Sequence, residues 1–484
     1  MQIVPSSLLP ERDRDALEAF LNGCRETARD KGRFQIASIS LQVPHISPLA
    51  VLQSIYEPGE LHCYMERAAG EEAVAGAEAV VEARFRGAHR YRKAREFADE
   101  VFANTIATGD LQPHFAGPHF FAAFTFSDQN EPHAAFAPAT LFLPRWQVAR
   151  SGGAYEAVAN VRVDPDSDLK PLVERVWAAY ERFRQFDYEA TGEAGRVGDA
   201  PAGGAVERAR DKREAFLENV REALRDIEAR RYDKIVLSRS IDLRNPAGWQ
   251  PLDALNRLRE RFPGCFAFSF GSGRERSYIG ATPERILSLR EKRLETEALA
   301  GSAPRGANAR DDAALARDLL RSDKDLREHR LVLDSIIRRL QELGIYGRAD
   351  ERPQLLQLAN VQHLRSRIAA DLGRRAHPLE ILEALHPTPA VGGSPRERAA
   401  PRIREIEGED RGLYTGAIGW FNPAGESEMI LAIRSAYIAG ETARLHAGAG
   451  IVRGSDPEAE LRETDIKLNA MLEAFDPDRE AGPG

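Results

Sequence analysis

The run from His446 to Lys467 reads HAGAGIVRGSDPEAELRETDIK and joins two kinds of backbone. Its first part prolongs the strand pattern Ala443-Arg444-Leu445-His446-Ala447 and then turns glycine-rich at Gly448 and Gly450. Its second part opens a helix, with Ser455 as cap, Pro457 in the first turn and Glu458 three residues after the cap. A strand that runs straight into a capped helix is the building unit of an α/β or α+β chain. The rest of the sequence repeats the mixture. Strand patterns occur at Lys234-Ile235-Val236-Leu237-Ser238-Arg239, at Ser277-Tyr278-Ile279-Gly280 and at Met429-Ile430-Leu431-Ala432-Ile433-Arg434, with long helical patterns between them. Earlier in the chain, Gln35 to Val43 and the aromatic-rich Phe120 to Phe126 read as strands, and Leu172 to Phe183 as a helix.

Two helices each carry a pair of acids. Ser322-Asp323-Lys324-Asp325 resembles a capping box, and Leu333, Ile336, Ile337 and Leu340 follow at helical spacing. Asp325 and Glu328 therefore project from nearly the same side, as do Glu460 and Glu463 in the helix that Ser455 opens. Acids near a helix N-terminus ordinarily do no more than complement the macrodipole, worth about 0.3–1 kcal/mol each. The alternative is that four oxygen donors converge on a hard cation such as Mg2+, which takes one or two carboxylates, waters and substrate oxygens.

Lys234 opens an apolar strand and shares a face with Val236 and Ser238. Most such lysines reach out to solvent; a desolvated one becomes a usable general base. Glu284 lies in the turn Gly280-Ala281-Thr282-Pro283-Glu284-Arg285 and would ordinarily face water. Against an apolar wall it would hold its proton and could donate it to a leaving group.

The chain has 484 residues, 43% hydrophobic and 29% charged, the composition of a soluble globular protein. A net charge of -8 gives no footprint for nucleic acid. Cys24, Cys63 and Cys265 are odd in number and far apart, which argues against disulfides or a thiolate metal site and suits a reducing compartment. With no signal-like N-terminus and no long apolar run, a cytoplasmic protein away from the membrane is expected. Residues 190–212, rich in Gly, Ala and charge, read as an exposed connection. It separates an N-terminal half, 1–195, from a C-terminal region, 212–475, that ends in a tail at 476–484. Lys212 to Arg231 reads as a charged amphipathic helix leading to Lys234.

Nine segments occur in order: KIVLSR, GATPERIL, ALAGSAPRG, REHRLVLDSI, HLRSRI, LHPTPAVGG, RGLYTGAIGW, LAIRSA and the run quoted at the outset. Together they resemble the chorismate-utilising enzymes, and within them the isochorismate synthases. The resemblance is strong from Lys212 to about Phe475 and weak before, where FLPRW at Phe142 to Trp146 is the best echo. It implies one large α/β fold, two antiparallel sheets packed as a sandwich with helices outside, of which the N-terminal half forms part. It also implies the substrate chorismate, Mg2+ as cofactor, and a monomer.

Residue by residue, the resemblance makes Lys234 the base that activates water for attack on C2, and Glu284 the acid that protonates the departing C4 hydroxyl. Glu328 and Glu463 would hold Mg2+, supported by Asp325 and Glu460. Arg434, Tyr414 and Lys467 would bind the dianionic substrate, with Gly448 and Gly450 giving close backbone approach. His363, Ala300, Gly301 and Ser302 would line the pocket.

Three positions point within the family. Anthranilate-type members use ammonia and lack the base lysine, which is present here as Lys234. Aminodeoxychorismate synthases commonly carry a nucleophilic lysine where this chain has Ala300, and salicylate synthases tend to carry Thr where it has Ala390. Isochorismate synthase is therefore the expectation, with a product destined for menaquinone, siderophore or salicylate formation. Salicylate synthase is the alternative, and a non-catalytic chorismate-binding protein a more distant one.

Overall fold

In the computed structural model the described residues are all but 5–12, 56, 58, 68–71, 132–133, 185–205, 374–375 and 477–484. The long strand Lys234–Arg244 pairs antiparallel with Thr442–Val452 along its whole length, from Lys234 opposite Val452 to Arg244 opposite Thr442. Residues on both of its faces are buried, including Ile235, Val236, Leu237 and Ile241, because a layer packs on each side.

From this pair a first arm of strands runs through Ser435–Ala439, Arg276–Thr282, Phe266–Ser272, Leu61–Glu66 and Glu72–Phe85 to Ala139–Ser151, every step antiparallel. A second arm leaves the other edge of Ala139–Ser151. It passes through Phe120–Phe124, Ala417–Phe421, Ser427–Leu431, Arg285–Arg290 and Arg293–Pro304 to Val361–Asp371. Farther along that same edge, Ala139–Ser151 also pairs with Ala154–Val163, which leads on to Gln35–Gln42.

The expected α/β sandwich is present with one difference. All 22 strands among the described residues belong to one network, and the two layers are arms that diverge from the shared strand Ala139–Ser151. A strand has two edges, and this one gives each layer an edge to grow on. Between the arms lies an aromatic core: Phe268, Phe270 and Tyr278 from the first arm, Phe121, Ile418, Trp420 and Ile430 from the second, and Phe142 from the shared strand. Phe142 meets Phe270 edge-on at 5.9 Å and stacks on Phe121 at 5.7 Å. Such pairs are worth about 0.5–1.5 kcal/mol each beyond the area they bury.

Helices cover the outer faces. Arg90–Ala103, Asp323–Glu342 and Pro378–Leu385 pack on the second arm, while Pro251–Arg261 and Pro457–Phe475 pack on the first. Arg213–Glu228 and Arg396–Glu407 cover Ile235 and Leu237.

Of the connection read at 190–212, residues up to 205 lie outside the described residues, as does the tail from 477. Glu207–Asp211, however, is an exposed edge strand paired with Ile241 to Arg244, because its backbone can complete that edge although its side chains stay in water. Strand Ser427–Leu431 ends earlier than the apolar run suggests: Ile433 N donates back to Leu431 O at 2.9 Å, and Arg434 follows with φ 47°, a turn that breaks the strand.

Candidate active site

Lys234 stands at the start of its strand, wholly buried, and its Nζ lies 2.8 Å from Glu328 Oε1 of the helix Asp323–Glu342. The contact crosses the strand Thr442–Val452 at Gly450. A Cβ there would come within 2.5 Å of Glu328 Oε1 and 3.1 Å of Lys234 Cε. Gly448 is bare for the same kind of reason: a Cβ would lie 2.9 Å from Leu237 O and 3.0 Å from the Tyr414 hydroxyl. Tyr414 is itself held by stacking on His446 at 4.8 Å.

Glu284, Arg434 and His363 come from other elements to the same cleft, a space of about 770 Å³ counted out to its open mouth. Glu284 sits between the strands Arg276–Thr282 and Arg285–Arg290, where Leu431 N donates to its carbonyl at 3.0 Å and locks the turn. Its side chain is buried. Burial, reinforced by the nearby charge of Glu297, pushes the carboxyl up to about 8, against the opposing pull of Lys234, Lys467 and Arg434.

The strand Arg293–Pro304 bulges at Gly301, whose φ is +79°. The register jumps there from Ala300 opposite Leu364 to Ser302 opposite His363, and the extra residue turns Ser302 onto the histidine. Ser302 Oγ lies 2.9 Å from His363 Nδ1, and Arg434 Nη2 lies 2.9 Å from His363 Nε2. A guanidinium can only donate, so Nε2 accepts and the ring proton sits on Nδ1. Burial and the charges of Arg434 and Lys467 hold His363 well below the ordinary histidine range, keeping it neutral. Arg434 Nη1 is buried without a hydrogen-bond partner among the described residues, a donor ready for an anionic oxygen.

Glu328 and Glu463 line the cleft; Asp325 and Glu460 are not among its lining residues. Three of these four acids meet a lysine: Glu328 with Lys234, Glu460 with Lys324 at 2.8 Å and Glu463 with Lys467 at 2.7 Å. Lys467 also donates to Gly448 O at 2.9 Å. Burial would raise Glu328, but Lys234, Lys324 and Lys467 outweigh it and hold the carboxylate below its ordinary value. Burial raises both Asp325 and Glu460.

No three His, Cys, Asp or Glu side chains among the described residues form a ready-made metal cage. Two lining carboxylates nevertheless suit Mg2+, an ion that keeps waters and takes substrate oxygens rather than an all-protein shell.

The structure thus gathers Glu284, Glu328, Glu463, Arg434, Tyr414, Lys467, Gly448, Gly450, His363, Ala300, Gly301, Ser302 and Ala390 around one cleft, while Lys234 is not among the lining residues and meets the cleft through its contact with Glu328. Two local expectations differ. Asp456, not Ser455, caps the last helix, accepting from Ala459 N at 2.8 Å. Ser322 caps its helix as expected, but the Asp325 carboxylate accepts from the Ser322 hydroxyl instead of closing the box on its backbone.

Other participants escaped the sequence reading. Lys324, named in the sequence only as part of the capping run, is the partner of Glu460. Thr415, at φ 59°, and His446 also line the cleft. Behind them Arg411 pairs with Glu407 and donates to Val236 O at 2.7 Å, and Glu407 accepts from Ser238 N at 2.7 Å. Only the RGLYTG segment as a whole pointed there.

Residues 20–476 match the family model described as chorismate binding enzyme. The chain belongs to that family, and is therefore an enzyme whose site takes a small molecule. It is 35% identical over 398 residues to the salicylate biosynthesis isochorismate synthase of Pseudomonas aeruginosa, covering 80% of each chain. It is 31% identical over 411 residues to isochorismate synthase MenF of Bacillus subtilis, covering 84% of this chain and 85% of that one. Among solved structures, MenF, the menaquinone-specific isochorismate synthase from Escherichia coli, superposes with a TM-score of 0.73 over 94% of this chain and 99% of that chain, at 25% identity. No helix among the described residues is long and apolar enough to cross a membrane.

Proposed function

We propose that the protein is an isochorismate synthase, converting chorismate reversibly to isochorismate by adding water at C2 while the C4 hydroxyl leaves. The observation that carries this reading is a pair on different elements: a buried lysine in contact with the cleft-lining Glu328, and a buried, cleft-lining glutamic acid raised to about 8. Lys234, in its uncharged amine form, takes a proton from the attacking water, and Glu284 gives its proton to the departing hydroxyl. One water enters and one leaves, so the net change is the position of a hydroxyl.

Arg434, with Nη1 unengaged, and Lys467 compensate the carboxylates of the substrate, and Tyr414 offers its hydroxyl beside Gly448. Glu328 and Glu463 would hold Mg2+, with Asp325 and Glu460 behind them. When bound, the ion would offset the charge of the ring carboxylate. Ala300 lines the wall where covalent catalysis would need a lysine, and Ala390 leaves that part of the wall apolar, which supports release of isochorismate without pyruvate loss. The isochorismate synthases among the relatives support the same reading. Three free, buried cysteines suit the cytoplasm.

The test is incubation of the purified protein with chorismate, with and without Mg2+, and chromatographic identification of products. Isochorismate formed only with Mg2+ is the expected outcome. Salicylate with pyruvate as the main products would assign the alternative, and a Lys234→Ala variant with full activity would remove the base.

A further inference from the structure

Glu284 is faced from four elements. Lys234 approaches from its strand, Lys467 from the helix Pro457–Phe475, Arg434 from the turn after Ser427–Leu431, and Glu297 from the strand Arg293–Pro304. Three of these groups are cations that favour a carboxylate; Glu297 is the anion that opposes them.

Glu297 stands directly across from Arg367 in the ladder, and its Oε1 accepts from Arg285 N at 3.3 Å. That N–H belongs to the residue following Glu284, so the carboxylate grips the turn that carries the acid. Arg285 is fixed in addition by Glu428 at 2.6 Å and Glu295 at 3.2 Å. Glu297 is not among the cleft-lining residues, so it acts through Glu284 and not on substrate.

We propose that Glu297 is a positioning residue for Glu284, holding the turn that aims the acid into the cleft and setting, by its own charge, the pH range over which that acid works. This rests on the reading of Glu284 as the general acid. Burial raises the Glu297 carboxyl, while the Arg285 N–H and the charges of Arg285, Arg365 and Arg367 pull it back. Two neighbouring carboxyls placed in this way titrate as a pair.

The test uses the full chain with chorismate and Mg2+, following kcat from about pH 6 to pH 10. Glu297→Gln keeps an oxygen for Arg285 N and removes the charge. Its alkaline limb, the loss of activity as the acid deprotonates, should move to lower pH by roughly 0.5–1 unit. Glu297→Asp, which keeps the charge one methylene further back, should fall between it and the unaltered protein. It carries the test alone if the Gln variant does not fold. A limb that stays in place in the variant measured, whatever the change in rate, overturns the proposal.

A second readout needs no turnover. The difference in unfolding free energy between the unaltered protein and Glu284→Gln, followed against pH, reports the titration of Glu284, and the same difference on the Glu297→Gln background should move to lower pH with the limb. An alkaline limb that survives in an active Glu284→Gln variant sinks the reading of Glu284 itself, a result distinct from an unmoved limb in Glu297→Gln.

Discussion

Glu284 keeps a proton near neutral pH at a cost in stability. Burial places its titration at about 8 in the folded chain, against an ordinary value of 4.5. Between those values the folded state binds a proton that the unfolded state has released. Stability therefore falls as pH rises through the window, by at most about 1.4 kcal/mol per unit. Glu284→Gln should lose at least ~10²-fold in kcat, the usual weight of a general acid. It should also be more stable than the unaltered protein at pH 9 but not at pH 4, as read by urea unfolding. A variant that lost activity and was less stable throughout would show that the carboxyl is held for structural reasons. In the sequence an acid after Thr-Pro reads either as a turn residue in water or as one protonated against an apolar wall, and only burial in the folded chain decides for the second.

At the scale of elements, the site depends on strands and helices brought within contact. Gly450 is the point where Lys234 of one strand and Glu328 of a helix meet across a third element, with no room for a Cβ. Gly450→Ala should lower activity by roughly 10–100-fold by prising that pair apart, a displacement of about 1 Å sufficing for such a loss. Near-native circular dichroism alongside the lost rate is expected; full activity would mean the pair is not needed.

The same strand is tied to the last helix by Arg239. It donates to Thr464 Oγ1 at 2.8 Å and pairs with Asp211 at 2.5 Å and with Asp465. Arg239→Met leaves Asp211 without this partner and Asp465 with Arg213 alone, and should cost about 3 kcal/mol or somewhat less in chemical denaturation, the low end for buried pairs because both acids are partly exposed. Helix Asp323–Glu342 was readable from its cap and periodicity, because both are local; its meeting with Gly450 was not.

For the whole molecule, the shared strand Ala139–Ser151 is the decisive feature. Both arms originate on it, and two strands of the C-terminal half complete their ladders only with N-terminal partners: Phe266–Ser272 with Leu61–Glu66, and Ala417–Phe421 with Phe120–Phe124. A fragment of residues 206–476 would expose those edges and half of the aromatic core. It should aggregate or lack cooperative unfolding, by gel filtration and thermal circular dichroism. A monodisperse, cooperatively folding fragment would make the halves independent.

By itself the sequence determined what depends on neighbours along the chain: the mixed α/β class, the capped helices with their acid pairs, the strand of Lys234 and, through nine ordered segments, the resemblance to chorismate-utilising enzymes. Which acids meet which lysines, why Gly450 and Gly301 must be glycine, what keeps Glu284 protonated and how two layers share one strand were decided only by the tertiary structure. Burial, proximity and charge balance arise between residues far apart in sequence, and HAGAGIVRGSDPEAELRETDIK cannot announce that Glu328, more than a hundred positions away, will press against its Gly450.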